Sequence, residues 1–401
     1  MYNIGINQVD ELARRLQPYY SRFNVTGRLL FTGHSHQAWP DVAMNGYEEA
    51  FAVAADEVDK KWETVFEQVE VLRNYLRNFY NDPDGRYCLG QNVHQLMVSW
   101  LSALPLMKKP RIITTNGEFY SMERQLKRLE EEGLEVVRLT AEPNAEFAAQ
   151  LETELQRKPA AAVMLSRIFF GSGLIFSHLQ ETAKVCRKYN VPLLVDDYHG
   201  TNVVPLDFKA GDLEDIFILI GGYKYLQWGE GNCFLRFPTN CELRPAITGW
   251  FAAFDTLEDP PSPKVRYTDP NQRFGSATFD GVSQFRAAKV ARFFEKQGLT
   301  PDRLRQQYRS QVQYLMERFG ESRLESYGVR LRHRHPAERR GGFLALKTAN
   351  ARKIKERLME EDIFTDARGD TLRLGPAPYI TTKQMDQLME RLEEVAQSVA
   401  D

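Results

Sequence analysis

Short runs rich in apolar and β-branched residues alternate with longer amphipathic stretches through most of this chain. The runs at 111–115, 136–140, 160–165, 191–196 and 216–220 predict buried strands, and stretches such as 179–189 repeat apolar residues at helical spacing. Strand and helix in that rhythm predict an α/β fold, with a mostly parallel sheet carrying helices on both faces. Upstream, 8–22 reads as an amphipathic helix and 28–32 as a short strand. The charged stretch 41–80 reads as a helix pair that packs on the sheet and on a partner subunit. Downstream, 251–281 is rich in Pro, Asp and Gly and predicts a long ordered loop. Helices at 285–296, 301–319, 351–361 and 382–399, with strands at 341–346 and 372–375, then predict a smaller α+β domain. The expected division is an N-terminal segment 1–45 serving the small domain and the site, a large domain 46–284, and a small domain 285–401.

A chain of 401 residues with 43% hydrophobic content can bury one large core and a lesser one. Its net charge of −2 gives no electrostatic reason to expect nucleic acid or an acidic membrane as partner. No apolar run is long enough to span a bilayer, and the start, MYNIGINQVDELARRLQ, carries acids and lacks an apolar signal core. The expected location is therefore cytoplasmic. Cys88, Cys186, Cys233 and Cys241 form no CxxC pair and have no histidine at zinc spacing, so buried thiols are expected rather than a disulfide frame or metal site.

Open sheets of this kind bind ligands at the carboxyl ends of their strands. Gly90, Phe119, Ser166, Asp196 and Lys224 all fall on that edge. Asp196 closes one apolar strand, and Lys224 stands just beyond the next. An isolated Asp or Lys in such a place is more often a strand cap or a solvated loop residue. The two together favour chemistry, because burial frees a lysine amine for Schiff-base formation and a facing carboxylate suits a cationic pyridinium nitrogen.

The stretch Asp196-x-x-His199, followed by Tyr223-Lys224-Tyr225-Leu226, Gly229, Gly231 and Gly249-Trp250-Phe251, resembles the core of the kynureninase group of the class V, fold type I pyridoxal-phosphate enzymes. The resemblance implies a seven-stranded-type sheet, pyridoxal 5'-phosphate as cofactor, an amino-acid substrate and a homodimer with shared active sites. It gives Lys224 the covalent link, Asp196 the pyridine nitrogen, and His199 and Tyr223 the phosphate, with Tyr223 assisting proton movement. It places Gly90 and Gln91 in the phosphate cup, ahead of Asn92-Val93-His94, and Phe119 on the cofactor ring. Ser121 keeps a second position of the family's Phe-Pro-Ser-Asp, where Met122 replaces the aspartate. Ser166 completes the edge, while Trp250 and Thr278 are expected at the neighbouring subunit's phosphate. Arg373 is expected to fork the substrate α-carboxylate, supported by Asp366 and Arg368. Ser35, His34 (where the family has Asn) and Asp56 (where it has His) are expected around the substrate.

The implied activity is hydrolytic Cβ–Cγ cleavage of kynurenine or a related aryl-keto amino acid to alanine and an aromatic acid. A class V aminotransferase shares every cofactor residue and is the first alternative. A cysteine desulfurase or selenocysteine lyase needs a nucleophilic cysteine late in the chain, and none follows Cys241. The remaining alternative is a non-catalytic binding protein on the same scaffold.

Overall fold

The computed structural model describes residues 5–141, 145–260 and 262–400, so Pro261, inside the expected long loop, lies outside the described residues. After β1 (Leu29–Leu30), seven strands build the central sheet. They are β2 (Arg86–Gly90), β3 (Arg111–Thr115), β4 (Glu135–Leu139), β5 (Ala162–Ser166), β6 (Leu193–Asp196), β7 (Phe217–Ile220) and β8 (Cys233–Phe237). Their order is β2-β8-β7-β6-β5-β3-β4. The strands from β4 to β7 in that order pair in parallel, and β8 runs antiparallel to both β7 and β2.

Strands β3, β5, β7 and β8 are buried along their whole length, and β5 and β7 read in the sequence as near-continuous apolar runs. β8 went unread in the sequence because Arg236 sits in the middle of its apolar run. The structure answers that charge locally: Arg236 forks Asp82 at 2.8 and 3.0 Å and donates to the carbonyls of Glu214 and Ile216. A buried guanidinium is tolerated only when paired and hydrogen-bonded in this way.

The smaller sheet has order β12-β13-β10-β9 and is antiparallel. It is formed by β9 (Arg330–Leu331), β10 (Leu344–Lys347), β12 (Asp366–Arg368) and β13 (Thr371–Leu374). The separate β11 (Ile363–Phe364) pairs in parallel with β1, and a further bridge joins Thr32 to Gly375. Residues from the start of the chain are thereby fixed against those near its end. The expected helix 8–22 is an α-helix only over Ile6–Leu16, and Pro18 opens the tighter 3₁₀ segment Gln17–Phe23. The charged stretch 41–80 is two helices, Val42–Glu57 and Lys61–Tyr80. Among the described residues no helix is long and apolar enough to cross a membrane.

Candidate active site

The carboxyl ends of β3, β5, β6 and β7 and the start of the helix Val93–Ser102 enclose a cavity of about 270 Å³. Phe119, Ser121, Ser166, Asp196, His199, Tyr223 and Lys224 all line it, so seven sequence-predicted residues come together. Ser166 and Asp196 are register partners across β5 and β6. The Asp196 carboxylate also accepts from the Tyr198 N–H at 2.9 Å, which holds the chain as it leaves β6.

Lys224 is 5% exposed, and its Nζ lies 2.9 Å from His199 Nε2. Nζ also sits 4.4 Å from the centre of the Tyr198 ring and 5.6 Å from that of Phe119. Burial lowers the Lys224 pKa to about 7, with Arg373 pushing the same way and Asp196 opposing. Burial raises Asp196 above the usual carboxylate range, and it holds His199 neutral, helped by the Lys224 charge. The arrangement offers a nucleophilic amine, a facing carboxyl, an aromatic wall and a helix N-terminus in one enclosure. This set fits pyridoxal phosphate: a carbonyl for the amine, a ring nitrogen for the carboxyl, a ring face for Phe119 and a phosphate for the helix start.

Other residues named from the sequence lie around this cavity or away from it. His199 lines the cavity beside the lysine amine. Gly90 and Gln91 precede the cavity, and Gln95 Oε1 takes the Gln91 N–H at 3.3 Å. Gly90 is glycine for packing, since a Cβ there would lie 2.6 Å from Leu96 Cγ. Asn92, Val93 and His94 line the cavity instead, with the Asn92 side chain accepting the Gln95 N–H at 2.9 Å. Met122 is buried in the apolar core. Ser35 turns its hydroxyl back to the Thr32 carbonyl at 3.1 Å. Asp56, Trp250 and Thr278 are exposed and do not line this cavity. Trp250 packs at a tilt against Phe251 and Phe254, and Thr278 borders a second cavity beside Trp62 and Phe285. These three positions lie outside the strand edge, on the helix pair and the long loop.

Arg373 lies next to the cavity and is already engaged. It pairs with Asp366 and donates to the Phe170 carbonyl at 2.8 Å. His34 is fully buried, its Nε2 3.5 Å from Asp366 Oδ2 and its ring 4.6 Å from that of Phe343. Burial, then the Arg373 charge, lowers the His34 pKa to about 3. Burial alone would raise Asp366, but the His34 hydrogen bond and the Arg373 charge hold it below the ordinary range. Arg368 is half out in solvent, 3.5 Å from the other Asp366 oxygen.

Sequence reasoning passed over Glu118, Phe170, Tyr198 and His36. Tyr198 and Phe170 line the cavity, and His36 stacks on Tyr223 at 5.2 Å. The usable signal was adjacency: Glu118 precedes Phe119, and Tyr198 lies between Asp196 and His199.

Comparison with known proteins agrees with this picture. The kynureninase C-terminal domain family matches residues 304–392. A kynureninase from Geobacillus thermodenitrificans (strain NG80-2) is 21% identical over 325 residues, which are 76% of this chain and 72% of the relative. Among solved structures, the cystine C–S lyase C-DES, in complex with its product cysteine persulfide, superposes with TM-score 0.80 at 18% identity, covering 94% of this chain and 99% of the other. An apo cysteine desulfurase from Thermococcus onnurineus NA1 does so with TM-score 0.80 at 16% identity, covering 99% and 100%. The two structures speak for the fold, and the sequence matches add kynureninase character to it. The chain is thus similar in sequence to kynureninases, and it shares its fold with the two solved structures.

Proposed function

We propose that this chain is a pyridoxal-phosphate enzyme acting on an α-amino acid, and that its reaction is hydrolytic Cβ–Cγ cleavage of kynurenine or a related aryl-keto amino acid. The observation that carries the reading is the Lys224 amine, buried in a cavity with Asp196 and brought to a pKa of about 7. When bound, pyridoxal phosphate supplies an electron sink for charge developing at the substrate α-carbon. Lys224, neutral in a useful fraction near pH 7, would hold the cofactor through its amine, and the same amine, once freed, could hold a proton from the substrate α-carbon. Asp196 keeps a proton on the ring nitrogen. The N-terminal turn at Asn92–His94 offers N–H groups to the phosphate. Phe119 covers a ring face and excludes water. Tyr223, its pKa raised by burial, stays protonated and able to donate. Arg373 turns one edge to the substrate carboxylate while Asp366 and the Phe170 carbonyl hold its plane.

Exposed Phe51, Trp250 and Val282, around a cavity of about 310 Å³ bordered by Thr278, support a second copy packing over that face. Asp56, Trp250 and Thr278 would then serve the partner's site.

A second reading, amino transfer, is favoured by the substrate end of the site. His34 and Asp56 depart from the kynureninase pattern among the residues expected around the substrate, while Asp196, His199, Tyr223 and Lys224 keep it. Desulfuration is disfavoured, since Cys88, Cys186 and Cys233 are buried thiols whose pKa values burial raises, and Cys241 is shifted the same way. The deciding experiment incubates the cofactor-loaded protein with kynurenine, with and without an added keto acid. Alanine plus anthranilate supports hydrolysis. Amino transfer to the keto acid replaces that reading, and neither product from a protein that binds the cofactor removes kynurenine as substrate.

A further inference from the structure

Glu118 stands behind the cavity wall, 6% exposed. Thr115 Oγ1 donates to its Oε1 at 2.5 Å, the Ser166 N–H donates to the same oxygen at 3.1 Å, and the Ser166 hydroxyl lies 2.6 Å from Oε2. Ser166 itself lines the cavity beside its register partner Asp196. A continuous path therefore runs from Glu118 through one hydroxyl to the ligand space. The aspartate expected at Met122 is absent, and Glu118 is the acid this part of the chain retains.

A serine hydroxyl has one hydrogen and two lone pairs. While Glu118 is a carboxylate it collects all three donors, so the Ser166 hydrogen is committed to Oε2 and the cavity meets a lone pair. Once Glu118 carries a proton, that proton bonds Ser166 Oγ and the serine hydrogen turns outward. We propose that Glu118 is a positioning residue that sets the direction of the Ser166 hydroxyl, and so decides whether the cavity presents a donor or an acceptor to an oxygen substituent of the ring bound beside Asp196. Both states are accessible near neutrality, because burial foremost, and the Asp196 charge with it, raise Glu118 to about 7 against the pull of its hydrogen bonds. The inference rests on the cofactor reading above for the identity of the ring, but not for the behaviour of the Glu118–Ser166 pair. An anchor for the turn 115–118 is the purely structural alternative, since Thr115 Oγ1 also accepts the Gly117 N–H at 3.1 Å.

The test has two arms. In ligand-free protein labelled at glutamate Cδ, carbon NMR should find one carboxyl titrating near pH 7 that vanishes in Glu118→Gln. Ser166→Ala removes a donor to the carboxylate and should move that midpoint upward by about one pH unit. In protein loaded with pyridoxal phosphate, Glu118→Gln should shift the pH midpoint of the cofactor absorbance by about one unit or more. The Ser166→Ala, Glu118→Gln double variant should then titrate like Ser166→Ala alone. Wild-type titration in Glu118→Gln, or shifts that add in the double variant, overturn the proposal and leave Glu118 a turn anchor. If Glu118→Gln does not fold, an unmoved carboxyl midpoint in Ser166→Ala overturns it equally. Absence of any cofactor absorbance in the wild type defeats the cofactor reading, and the NMR arm still decides the pair.

Discussion

Lys224 Nζ and His199 Nε2 meet at 2.9 Å inside a cavity that disfavours charge on either. The amine's hydrogen-bond neighbour is thus neutral, and its reactivity follows pH. Below about 7 the ammonium dominates and cannot attack a carbonyl. The rate of pyridoxal-phosphate capture should therefore rise with pH through about 7 and level off above it, followed by stopped-flow absorbance. Arg373→Gln removes a charge that lowers the amine pKa, so its midpoint should move to higher pH.

Lys224→Ala should abolish the covalent cofactor altogether. Borohydride treatment followed by intact-mass measurement should give a pyridoxyl adduct on the wild type and none on the variant. An adduct retained in Lys224→Ala assigns the link to another lysine.

Arg373 and Asp366 are both nearly buried, and each is the other's main charge partner. Arg373→Ala should cost about 3–5 kcal/mol of stability, because it strands a carboxylate out of water. Arg373→Ala combined with Asp366→Asn should recover part of that loss in urea unfolding. Weakened amino-acid binding should persist in both, which separates binding from folding.

A second buried pair fixes the turn that carries His199. Arg167 forks Asp197 at 2.5 and 2.9 Å, and Tyr80 donates to the same carboxylate at 2.7 Å. Asp197→Ala should destabilise by about 3–5 kcal/mol, read from the denaturation midpoint, while Asp197→Asn should cost less.

Glu118 gives a signed pH dependence. Its folded carboxyl holds a proton to about pH 7, whereas the free side chain releases it near 4.5. Its stabilising contribution is therefore complete below about 4.5 and lost as pH rises through 7. The stability of Glu118→Gln relative to wild type should grow by on the order of 3 kcal/mol between pH 4.5 and 8, measured by urea unfolding at each pH.

Much of the scaffold was legible because short apolar or β-branched runs alternate with helical patterns: 111–115 is a strand with the expected bounds, and 216–220 differs by one residue. β8 escaped because Arg236 breaks its run, and its partner Asp82 lies far away in sequence. At the site, Asp196 and Lys224 were legible from their places at strand ends. The locations of Ser35, His34 and Arg373 depend on pairings between chain termini, which no local pattern records. Glu118 was overlooked because an acid at the start of a helix ordinarily meets solvent and the helix dipole.

Gly375 belongs to that junction: a Cβ there would lie 2.1 Å from His34 Nδ1, and the glycine N–H bonds the Phe31 carbonyl at 2.8 Å. The edge of the cavity next to Arg373 is closed by two segments that lie far apart in the order of synthesis. A ribosome-bound chain would hold a finished lysine-bearing sheet long before its arginine emerged, so a nascent protein should acquire cofactor affinity before substrate affinity. Ligands that mimic the vitamin are then suited to assisting folding in the cell, whereas substrate analogues would act only on completed molecules.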